Sequence, residues 1–170
     1  WIMPQDSEGT PDIARPGVWR LNVDDDNDGG NPDPNPVPNP ETDAEAVIDP
    51  VEPGPVVIGT PMYITASGTI ARADASSTGT GLVAGLAAEV GSPGQQITIT
   101  RNTGLDVFNA NDVVLEGTAN WAPGAIYYLT ETPGKLSRNP PTTEGSVLIQ
   151  VCQAVNLSKI FIEIQSPTVL

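Results

Sequence analysis

Tyr63-Ile64-Thr65-Ala66-Ser67-Gly68-Thr69-Ile70-Ala71-Arg72 returns later in the chain as Tyr128-Leu129-Thr130-Glu131-Thr132-Pro133-Gly134-Lys135-Leu136-Ser137-Arg138, with one inserted residue. Further on, Ser76-Ser77-Thr78-Gly79 matches Thr142-Thr143-Glu144-Gly145, and Leu82-Val83 matches Leu148-Ile149. Each copy then closes on an isoleucine strand, at residues 97–101 and 160–165. Ile97, Ile99 and Arg101 alternate with Thr98 and Thr100, and Ile160, Ile162 and Ile164 alternate with Phe161 and Glu163. A period of two marks strands with one buried face. The repeating unit therefore reads as strand, glycine turn, short strand, polar loop, long strand and closing strand. Two such units packed together would cover apolar faces that neither covers alone.

Working outward, short β-branched runs punctuated by Gly, Pro, Asn and Ser fill the rest of residues 56–170. They predict strands at 56–58, 62–65, 69–71, 82–88, 96–101, 105–108, 113–117, 126–130, 135–137, 147–155 and 160–165. Gly81 and Gly85 favour a strand over a helix in the 82–90 region. The expected fold is all-β: a small sandwich or barrel built from two similar β-units, 56–112 and 113–170. An extended, acidic, Pro-rich N-terminal arm precedes it at residues 1–55.

The arm differs in composition. It holds 13 of the chain's 21 acidic residues, 11 of its 18 prolines and only Arg15 and Arg20 as bases. In Asn31-Pro32-Asp33-Pro34-Asn35-Pro36-Val37-Pro38-Asn39-Pro40, proline at alternate positions removes backbone donors and holds the chain extended. Such a segment forms a stiff strap of about 3 Å per residue. Its apolar residues do not offset its ordering entropy. Trp1, Ile2, Met3, Ile13, Val18, Trp19, Leu21 and Val23 follow no core-forming period, and they read as anchors that dock on a partner.

Composition excludes several functions. A formal charge of −14 with seven basic residues leaves no cluster for phosphate or for an anionic membrane. There is no histidine, which removes the commonest general base and every Ser-His or Cys-His arrangement. The single cysteine, Cys152, lies in an apolar strand and reads as a small buried hydrophobe. No apolar run of 18 residues spans a bilayer. The chain opens on Trp1 without a signal-peptide pattern, so it reads as a processed form or a part of a longer product.

Asp24-Asp25-Asp26-Asn27-Asp28-Gly29 has the opening of a calcium loop, with Asp24, Asp26 and Asp28 as candidate ligands. The pattern then fails, because Asn35 stands where a bidentate Glu is required and Pro32 and Pro34 interrupt the second half. A solvated acidic turn is the preferred reading, and no cofactor is expected. Tyr63, Tyr127, Tyr128 and Trp121 are candidates for an exposed sugar-stacking platform, although strand aromatics more often serve the core or subunit contacts. No carboxylate pair or phosphate loop stands out, so the chain is not expected to be an enzyme.

The stretch from Pro123-Gly124-Ala125-Ile126-Tyr127-Tyr128-Leu129 through Gly134-Lys135-Leu136, Pro140-Pro141-Thr142 and Gly145 resembles a module of tailed-bacteriophage structural proteins. Ser67-Gly68-Thr69-Ile70-Ala71-Arg72-Ala73-Asp74-Ala75 similarly resembles a hairpin of phage capsid decoration (cement) and head-fibre-like proteins. Cys152 stands where the pattern "V-G-x-A" has glycine. The resemblance covers about residues 60–165. It implies a non-enzymatic virion protein, a homotrimer, on the outer capsid surface. Its partners would be the major capsid protein and neighbouring copies of itself. A tail-fibre or adaptor component, or a saccharide-binding β-module on the virion, is the alternative.

Overall fold

The computed structural model describes residues 43–107, 114–118 and 120–170. These residues are all-β, with two five-stranded antiparallel sheets packed as a sandwich. The strands are β1 (Asp43–Val47), β2 (Pro61–Ile64), β3 (Ile70–Arg72), β4 (Val83–Ala87), β5 (Gln96–Thr100) and β6 (Gly104–Asp106). They continue as β7 (Ile126–Leu129), β8 (Leu136–Ser137), β9 (Val147–Leu148), β10 (Gln150–Ala154), β11 (Lys159–Ile162) and β12 (Thr168–Val169). The first sheet runs β1-β5-β4-β2-β3 and the second β6-β11-β10-β7-β8, while β9 and β12 form a separate ribbon.

The two sheets repeat one pairing scheme. In the first, Tyr63 faces Ala71 and Ile64 faces Ile70; in the second, Tyr128 faces Ser137 and Leu129 faces Leu136. A bulge falls at the same place in both: Ala84 of β4 is the extra residue against Met62 and Tyr63, and Val151 of β10 the extra residue against Tyr127 and Tyr128. The extra residue lets the strand bend and shifts its alternation by one. Each sheet also rolls up. A parallel bridge joins Ile48, just beyond β1, to Ile70, and another joins Leu115 to Leu136. The Asp49 N–H donates to the Ile70 carbonyl at 2.8 Å, and the Glu116 N–H donates to the Leu136 carbonyl at 2.9 Å. Gly59 and Gly124 are the third residues of the corresponding turns, at φ 87° and 79°, and their N–H groups donate to the Ala87 and Ala154 carbonyls, each at 2.8 Å. A side chain would be strained at either position.

Pairing places the start of each unit earlier than sequence periodicity does. Residues 43–55 were expected in the arm and 56 at the start of the β-domain. Instead β1 pairs along its whole length with β5, and Ile48 is fully buried. Likewise β6, expected at the end of the first unit, is the second unit's counterpart of β1. Ala44 and Ala46 are too small to announce a strand, and only the partner strand reveals them as one. The expected 147–155 strand divides at Ile149, because Val147–Leu148 pairs with β12 while Gln150–Ala154 pairs with β7 and β11. The expected 113–117 strand shows only the Leu115 bridge among its described residues. The possible helix near 82–90 is β4.

Two cores result. Ile48, Val56, Met62, Ile70, Ala87, Ile97 and Ile99 fill the rolled first sheet. A larger core joins Ala73, Ala75, Val83 and Leu86 of the first unit to Trp121, Tyr127, Leu129, Leu136, Ile149, Val151 and Ile160 of the second. Each fully buried aliphatic side chain contributes about 1.5–3 kcal/mol. Backbone bonds cross the same boundary: the Ala75 N–H donates to the Thr130 carbonyl at 2.7 Å, and the Val147 N–H to the Ala75 carbonyl at 2.8 Å.

Candidate docking surfaces

One row of cross-strand neighbours shows how the two units differ. In the first sheet Asp43, Thr100, Leu86 and Pro61 lie side by side across β1, β5, β4 and β2. The matching row of the second sheet is Gly104, Phe161, Gln153 and Ile126. Both rows point away from the interior of their own rolled sheet, since Ile99 and Ala87 next to the first row, and Ile160 and Ala154 next to the second, are buried inside. Apart from the half-buried Asp43, the first row is buried nonetheless, with Leu86 at 0% and Thr100 at 3% exposure, because Leu86 enters the core shared with the second unit. No neighbour covers the second row among the described residues: Ile126 is 37% and Phe161 47% exposed.

Sequence follows that difference only in part. Val83, Leu86 and Ala71 of the covered face have the polar counterparts Gln150, Gln153 and Ser137 by pairing register. Ile126, Tyr128 and Phe161 stay apolar or amphipathic on the open face. Beyond the row, Val155 and Leu157 of the β10–β11 hairpin are also exposed. The second unit's open face is thus a mixed apolar and amide surface, the composition of an interface core with a polar rim.

The complementary side of the contact shows the reverse pattern. Leu129 is fully buried in the shared core, whereas its first-unit counterpart Ile64 is 61% exposed. Each unit therefore has two contact surfaces, and the chain uses one from each. Among the described residues, the Ile64 end of the first unit and the Ile126/Phe161 face of the second remain open.

Aromatic placement decides between the two readings of these residues in favour of the core for Trp121 and Tyr127. Trp121 and Tyr127 are buried, their rings edge to face with centroids 4.7 Å apart. The Ala122 N–H donates to the Tyr127 hydroxyl at 2.8 Å. Strand alternation turns Tyr127 inward and Tyr128 outward, so the tandem tyrosines cannot form one exposed face. Tyr63 and Tyr128 are half-buried.

Cys152 lies fully buried in the second core, and burial pushes its thiol well above the usual thiol range. Its pairing counterpart is Gly85, in Ala84-Gly85-Leu86-Ala87 against Val151-Cys152-Gln153-Ala154. A Cβ at Gly85 would lie 2.9 Å from the Thr100 carbonyl oxygen, so the first unit requires glycine where the second admits a thiol. A polar groove of about 460 Å³ lies beside β8, lined by Glu116, Thr118, Glu131, Arg138, Pro140 and Pro141 among others. No signal in the strand periodicity marked this groove, because it forms where a loop is short.

The sequence candidates in the arm lie outside the described residues. These are the calcium candidates Asp24, Asp26 and Asp28 and the anchors Trp1, Ile2, Met3, Ile13, Val18, Trp19 and Leu21. Among the described residues, no three His, Cys, Asp or Glu side chains converge as metal ligands would. Set beside known proteins, the chain matches no family model and no curated protein.

Proposed function

We propose that this protein is a capsid decoration (cement) component of a tailed-phage virion. In this reading it binds the outer surface of the head, beside copies of itself, and stabilises the shell without catalysis. The observation that carries the proposal is the second unit's open face: among the described residues Ile126 and Phe161 are exposed at positions whose first-unit counterparts, Pro61 and Thr100, are buried. An apolar face kept open on a chain with a formal net charge of −14 favours a protein that completes its packing in an assembly. Charge supports the outer rather than the inner face of a shell, since −14 would repel packaged nucleic acid. The hairpin residues 67–75 and 123–136 support the phage setting by resemblance.

The same surfaces give self-association a definite geometry. A second copy placed head to tail, its Ile64 end on the first copy's Ile126/Phe161 face, would repeat the contact that already joins the two units. Such a heterologous contact closes into rings when the rotation permits, and a trimer is one such ring.

Quantitative gels of purified virions test the reading. Copy numbers comparable with the major capsid protein, and particles that burst more readily without this protein, are the expected results. A few copies at the tail vertex would assign the chain to a fibre or adaptor instead. Absence from virions would overturn both.

A further inference from the structure

We propose that the groove beside Arg138 is a seat for an extended, proline-containing peptide segment that presents a carboxylate to the guanidinium. The seat follows from the pairing register and stands whether or not the protein belongs to a virion.

Arg138 directly follows β8 as its counterpart Arg72 ends β3. In the first unit that arginine is fully engaged. Its Nη1 is ion-paired with Glu52, and its own N–H donates to Glu52 Oε1 at 2.9 Å. Its Nη2 donates to the Gly54 carbonyl at 3.0 Å and the Pro55 carbonyl at 2.6 Å. Glu52-Pro53-Gly54-Pro55 thus wraps the guanidinium with one carboxylate and two carbonyls, a forked arrangement that suits arginine.

The second unit lacks this wrapping. Seven residues, 49–55, separate Ile48 from Val56, but only five, 116–120, separate the equivalent Leu115 from Trp121. The shorter loop, Glu116-Gly117-Thr118-Ala119-Asn120, carries no carboxylate after Glu116. Glu116 corresponds to Asp49 and is held by the Thr132 hydroxyl at 2.9 Å, much as the Thr69 hydroxyl holds Asp49 at 3.0 Å. Asp49 coexists with Glu52 in the first unit, so Glu116 does not bar a second carboxylate. Among the described residues, the second unit has a groove where the first places its own Glu-Pro-Gly-Pro, and Arg138 is exposed there with no ion pair.

The chemistry of the occupant follows from the filled copy: a carboxylate for the guanidinium, then carbonyls turned by proline. Glu131, where the first unit has Ala66, places a competing charge at the rim and weakens the seat. One exposed charge pair alone is worth little, so affinity depends on the carbonyls as well.

Fluorescence anisotropy with the intact chain and a dye-labelled hexapeptide copied from residues 51–56 tests the seat. The peptide is expected to bind, the same peptide with Glu52→Gln about tenfold more weakly, and Arg138→Gln to lose about as much. Glu131→Ala is expected to tighten binding severalfold. The proposal is overturned if the wild-type chain does not bind at millimolar peptide. Equal binding of the Gln peptide, or of the Arg138→Gln chain, would overturn it as well.

Discussion

The outer faces of the two sheets start from the same backbone and meet different fates. Register for register, Pro61, Leu86 and Thr100 sit where Ile126, Gln153 and Phe161 sit, yet the first set is covered and the second is open. Strand pairing cannot be the cause, because it is the same in both. The cause is stacking: the first unit lays one of its surfaces on the second, and among the described residues none lies on the second unit's equivalent surface. Among the described residues, duplication of the fold thus leaves one contact surface uncovered at each end. The polar substitutions Gln150, Gln153 and Ser137 reduce that exposure, while Ile126 and Phe161 preserve it.

Exchanging residues between the two rows gives the largest effect. Leu86→Gln puts an amide into the shared core and should cost about 2–4 kcal/mol of stability in urea denaturation. The reciprocal Gln153→Leu should leave stability within about 0.5 kcal/mol of wild type and increase self-association in sedimentation. Equal costs for the two substitutions would mean that the faces do not differ as described. At the bulge, Gly85→Cys should cost about 1–3 kcal/mol, since its Cβ must displace the Thr100 carbonyl. Cys152→Gly should cost about 1–2 kcal/mol, through lost packing and a freer unfolded chain. A stabilising Gly85→Cys would show that the two bulges are not equivalent. The smallest change in folding is expected at the open face itself. Phe161→Thr, which copies Thr100, should move stability by less than about 0.5 kcal/mol. On the proposed function it should still weaken rebinding to particles lacking the protein severalfold, a loss that a purely solvated face would not show.

Much of this was legible in the residues. The alignment of Tyr63–Arg72 with Tyr128–Arg138, inserted residue included, coincides with the strand register at Tyr63/Tyr128, Ile64/Leu129, Ile70/Leu136 and Ala71/Ser137. Downstream it slips by one, pairing Val83 with Ile149 where the register gives Gln150. The slip arises in the polar loops, whose lengths vary without an apolar landmark to fix them. β1 was hidden by its alanines, and Tyr127 stayed open between core and exposed platform because exposure of a tyrosine depends on which way its strand turns. The Arg138 groove had no sequence signature, since it is a missing loop rather than a present motif.

Sequence alone therefore determined the β class, the two-unit plan and the burial of Cys152, because period-two apolarity and turn glycines act locally and survive without a partner. Tertiary structure decided which unit covers the other, where each unit begins, and which arginine is left open. Those outcomes depend on contacts between residues dozens of positions apart, and a one-residue change in loop length moves them without altering any strand's own pattern.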